Sequence, residues 1–117
     1  MQPDEKNIAY IWDMLSACKE IQDFMENSDW EDFIGDRKLV LAIERSLEII
    51  GEAASRISES FRKAQYDIPW SKIRGMRNIL AHEYGHVDYE IVYETAVTEM
   101  PDLLVKLEKL LPQDIED

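Results

Sequence analysis

The segment from Val40 to Ile57 constrains this chain most. Its apolar residues Val40, Ile43, Leu47, Ile50, Ala54 and Ile57 step by three and four without a miss. Such steps collect on one seam of a helix, and that seam has to be buried against a neighbour. Two other segments repeat the pattern. Ile8, Ile11, Leu15 and Cys18, widened by Trp12, Ile21, Phe24 and Met25, mark a first helix, and Tyr93, Ala96, Met100, Leu103, Leu107 and Leu110 mark a last one. No run alternates apolar and polar residues with the period of a strand. The expected fold is an all-α bundle.

Breakers and caps divide that bundle. Asp4 is placed to cap the first helix. The stretch "ENSDWEDFIGD" separates the first two long helices, with a short helical turn expected after Ser28. In "DIPW", Pro69 pushes Ile68 out of helical geometry. A shorter helix is expected from about Trp70 to Glu83, stopped by Gly85. Asp88 can cap the last helix, and Pro101 should kink it or split it after Met100. The outcome is four main helices joined by short helical turns. At 117 residues the chain suits a single domain spanning 1–117.

Several classes drop out. No apolar run approaches the roughly 18 residues that a membrane span needs. The N-terminus "MQPDEKNIAY" lacks the basic and apolar regions of a secretory signal. Cys18 is the only cysteine, so neither an internal disulfide nor a cysteine metal cluster can form. A reduced, cytoplasmic protein is expected. The net charge of −12 argues against an anionic polymer as partner, but the charge is unevenly placed. Between Arg56 and Arg77 six bases (Arg56, Arg62, Lys63, Lys72, Arg74 and Arg77) face two acids (Glu59 and Asp67). That segment is net +4, leaving −16 for the rest.

The basic segment runs into "RNILAHEYGH", where two signatures overlap on His82. One is Arg-x4-His-x-Tyr: Arg77, His82 and Tyr84. The other is His-Glu-x-x-His: His82, Glu83 and His86. On a wheel of about 100° per residue, Ile73, Met76 and Leu80 share an arc that should face the core, with Ile79 at its edge. Arg77, Ala81, Arg74, Asn78 and His82 fill the opposite arc. Two guanidiniums, an amide and an imidazole on one face suit phosphodiester cleavage in RNA. Imidazole can take or give a proton near neutral pH. Arginine presents a fixed, planar charge matched to phosphate oxygens. One such histidine per chain is a thin supply for two proton transfers, so a two-fold interface near this face is expected. The same residues also suit a solvated helix face with His82 complementing the helix dipole.

The flanks add to this. "IPWSKIRGMRNILAHEYGHVDYEIVYETAVTEMPDLLVKL" resembles the C-terminal half of HepT-like toxins of the HEPN superfamily, and "ERSLEIIGEAASRI" resembles their second helix. The matching features are Pro69–Trp70, "RGMRN" leading to His82 and Tyr84, Val87–Asp88, and "MPDLL". The resemblance implies a HEPN-like homodimer with its active site in the cleft between protomers. It implies a metal-independent endoribonuclease toxin, without cofactor, paired with an MNT-type nucleotidyltransferase antitoxin. Carried over by motif, Arg77 and His82 are catalytic and Tyr84 is the acceptor of AMP. Arg74 and Asn78 are expected RNA contacts. The zinc-peptidase reading requires His82 and His86 one turn apart on a continuous helix, which Gly85 interrupts, and a third ligand that nothing in the chain selects. A non-catalytic helical module that binds nucleotide or protein is the other alternative.

Overall fold

The computed structural model describes residues 3–80 and 87–111, and among them there are helices and no strands. The three stepped segments become the three long elements. Helix α1 (Pro3–Met25) packs against α3 (Arg37–Arg56). Helix α1 also packs on the C-terminal arm, formed by α7 (Tyr89–Glu94), a π-helical turn (Thr95–Glu99) and α8 (Met100–Glu108), and Arg37 at the start of α3 donates to the Tyr89 hydroxyl of that arm. The short helices are α2 (Trp30–Ile34), α4 (Glu59–Ala64), α5 (Trp70–Arg74) and α6 (Met76–Leu80). All six residues of the Val40–Ile57 seam are buried, and so are Ala96, Met100, Leu103 and Leu107 on the last arm. No helix among the described residues is long and apolar enough to cross a membrane.

Capping fixes where the elements begin. Asp29 and Asp32 form a reciprocal capping box at α2, with Asp32 N donating to Asp29 Oδ1 at 2.9 Å and Asp29 N donating to Asp32 Oδ2 at 3.1 Å. Asp36 accepts from the amides of Lys38 and Leu39 at the start of α3. Asp88 accepts from the amides of Glu90 and Ile91, the cap expected for the last arm. Asn27 ends α1 at φ 62°, a left-handed position that asparagine tolerates better than most residues. Trp30, Phe33 and Tyr93 form an aromatic cluster, with centroids 5.5–6.0 Å apart, that ties α2 to α7.

Three expectations change, and a fourth is made specific. Helix α1 starts at Pro3, so Asp4 lies in its first turn rather than at its cap. Phe24 is 39% exposed, while Met14 and Ala17 join the buried face of α1, because that face is wider than one seam. The helix expected from Trp70 to Glu83 is interrupted at Gly75, where the Asn78 amide donates to the Gly75 carbonyl three residues back, at 2.9 Å. The break at Pro101 takes a specific form. Proline has no N–H and its ring crowds the carbonyl four residues back. The preceding turn therefore adopts a wider register, with the Met100 amide donating to Thr95, five residues back, and α8 resumes with Pro101 in its first turn.

Candidate active site

Helices α5 and α6 lie across α3. Trp70 and Ile73 bury the α5 face and Met76 the α6 face, while Ile79 and Leu80 are half-buried. Trp70 is held further by its indole Nε1, which donates to the Gln65 carbonyl at 2.9 Å. Arg74, Arg77 and Asn78 are then exposed, as the wheel expected even with the break at Gly75.

Arg77 is seated on α3 at Gly51. A Cβ built on Gly51 would stand 3.0 Å from Arg77 Cγ, 3.7 Å from its Cδ and 3.5 Å from the Ile73 carbonyl. The glycine lets α5 and α6 approach α3 closely enough for the arginine stem to lie on helix backbone. From there Arg77 enters a cleft of about 330 Å³ lined by Leu41, Glu44, Arg45, Glu48, Arg77 and Leu80. Arg45 Nη1 donates to Glu48 Oε1 along α3. Glu44 Oε2 is buried with no hydrogen-bond partner among the described residues. Among the described residues Arg77 makes no ion pair or hydrogen bond either. Arg74 and Asn78 do not line this cleft. His82, Tyr84, Glu83, Gly85 and His86 lie outside the described residues.

The basic segment is partly spent on structure. Lys63 pairs with Glu59 at 3.0 Å, Lys72 pairs with Glu99, and Arg62 Nη1 donates to the Ile57 carbonyl. Arg56, Arg74 and Arg77 are left without ion pairs among the described residues. Burial pushes the Cys18 thiol up to about 12, so it supplies no thiolate near neutral pH. Among the described residues no three His, Cys, Asp or Glu side chains gather in a way that could hold a metal ion.

Sequence reasoning did not single out Glu44, Arg45, Glu48 or Gly51. A signal was present: Gly51 interrupts an otherwise perfect helical pattern, where glycine costs about 1 kcal/mol relative to alanine. An interior glycine kept at that cost marks a close approach by another part of the chain.

A family model described as ribonuclease HepT-like matches residues 14–110. The chain is 38% identical over 109 residues to a candidate RNase of Methanocaldococcus jannaschii, covering 93% of each chain. It is 37% identical over 105 residues to a candidate RNase of Caldanaerobacter subterraneus, covering 90% of this chain and 94% of that one. A protein of Thermococcus cleftensis, named as a ribonuclease of the HepT type, is 38% identical over 101 residues, which is 86% of this chain and 92% of the relative. No solved structure matches the chain.

Proposed function

The chain belongs to the HepT-like ribonuclease family, and on that premise we propose that it is a metal-independent endoribonuclease toxin working as a homodimer. The observation that carries the proposal is the motif Arg77-x4-His82-x-Tyr84, which lies within the family match. The seating of Arg77 in a charged cleft, without an ion pair among the described residues, supports it.

The reaction needs little apparatus. An imidazole takes the proton from a 2′-hydroxyl, whose oxygen attacks the adjacent phosphorus. The bond from phosphorus to the 5′-oxygen breaks, and an imidazolium protonates that leaving oxygen. Two copies of His82, one from each protomer, fill these roles. Arg77 neutralises the charge that builds on the phosphorane oxygens. Arg74 and Asn78 hold flanking RNA outside the cleft. Silencing follows from Tyr84. A nucleotidyltransferase antitoxin of the MNT type transfers AMP from ATP to the Tyr84 hydroxyl and releases pyrophosphate. The added phosphate and its bulk then repel and exclude RNA beside Arg77 and His82.

Purified protein is expected to cleave bulk RNA in the presence of EDTA. His82→Ala and Arg77→Ala should each lower the rate by about 100-fold or more. Activity that disappears with chelator would refute the metal-free mechanism. Co-expression with a neighbouring nucleotidyltransferase should add AMP mass that Tyr84→Phe abolishes. If no preparation lacking AMP cuts RNA, the non-catalytic binding reading replaces this one.

A further inference from the structure

The Arg77 cleft contains an unmatched pair. Glu44 and Arg77 line the same cavity. Glu48, the other carboxylate there, is already taken by Arg45. Glu44 Oε2 is buried and has no hydrogen-bond partner among the described residues. A desolvated carboxylate oxygen without a donor is costly, and the hydrogen bond that relieves it is of the strong, charge-assisted kind. Arg77 brings five N–H donors into that cleft on a stem fixed against Gly51. Arg37 also acts on Glu44 through its charge, but its guanidinium is engaged first by the Tyr89 hydroxyl, to which it donates at 3.3 Å.

We infer that Glu44 is the positioning residue of Arg77, accepting one edge of the guanidinium and leaving the other edge for the scissile phosphate. This rests on the role proposed for Arg77. A guanidinium is a planar fork, and holding one edge fixes the plane of the other. Without that anchor the exposed head samples several rotamers, and its charge meets the phosphorane in only some of them. Glu44 thereby acts on the transition state through Arg77 and does not touch the RNA.

The full chain tests this in two measurements. The first is a double-mutant cycle in thermal melting with Glu44→Gln, Arg77→Ala and the double variant. Coupling is expected: the double variant should melt no lower than Arg77→Ala alone, because the carboxylate left unpaired by losing Arg77 is then removed as well. Additive losses would overturn the pairing. The second is steady-state RNA cleavage. Glu44→Gln should lower kcat about tenfold with KM little changed, and Glu44→Asp should recover part of the loss. An unchanged kcat in a folded Glu44→Gln protein would overturn the positioning role, as would an equal loss in Arg37→Ala, which would make Arg37 the partner. If Arg77→Ala keeps full activity, the proposed ribonuclease mechanism fails. The melting cycle still decides whether the two residues are paired.

Discussion

Gly51 is the residue on which the geometry of the site turns. Replacing it by alanine improves helix propensity by about 1 kcal/mol, but the new Cβ meets Arg77 Cγ at 3.0 Å. The two effects act on different observables. We expect Gly51→Ala to leave the melting temperature within a few degrees of wild type, by roughly cancelling terms. It should lower RNA cleavage severalfold by displacing the Arg77 stem. Wild-type cleavage by a folded Gly51→Ala protein would show that the stem has room to shift. At this scale the chain was half legible. Arg77 stood out by its motif, because its chemistry is local. Glu44 did not, because a glutamate on a helix face signals nothing until its surroundings strip it of water.

Among the elements, joins are specified as closely as the helices themselves. Asn7 is only 4% exposed, and no periodicity marks it. Its side chain bridges the start of α1 to the junction of α3 and α4. Nδ2 donates to Ser58 Oγ at 3.1 Å, and Oδ1 accepts from the Ser58 amide at 3.0 Å. Ser58 is itself the cap of α4, accepting from the Phe61 amide at 3.3 Å. Asn7→Ala should therefore cost about 2 kcal/mol, since it removes two buried hydrogen bonds and loosens a cap. For a chain of this size that lowers the melting temperature by on the order of 10 °C, measurable by circular dichroism. A shift under a degree or two would mean that water replaces the asparagine at no cost. Caps such as Asp88 were readable because a cap satisfies amides within its own turn. The Asn7–Ser58 bridge was not, because it joins residues 51 positions apart. The interruption at Gly75 was missed for a related reason. Helical spacing on both sides of a one-residue break looks continuous in sequence.

The whole molecule carries −12, and the groove entered by Arg77 sets two arginines, Arg45 and Arg77, against two glutamates, Glu44 and Glu48. Acidic surroundings limit RNA to contacts with the exposed arginines, and a second protomer there would bring a second Arg77 to the groove. The proposed homodimer should appear as a species of twice the chain mass in sedimentation at micromolar concentration. A monomer under those conditions would contradict the shared active site. Leu41, 47% exposed at the cleft, is apolar surface that such a partner would cover. The sequence by itself determined the helical class, the three long seams, the cap at Asp88, the short helical turn after Ser28, the break at Pro101 and the exposed face that carries Arg77. Each of these depends on residues within a turn or two of one another. Only the tertiary structure decided that Arg77 lies on Gly51, that Glu48 is paired while Glu44 Oε2 is buried without a hydrogen-bond partner among the described residues, and that half of the basic segment is spent on internal partners. Those facts depend on which helices cross, how closely they approach and which groups lose their water, and no local pattern encodes them.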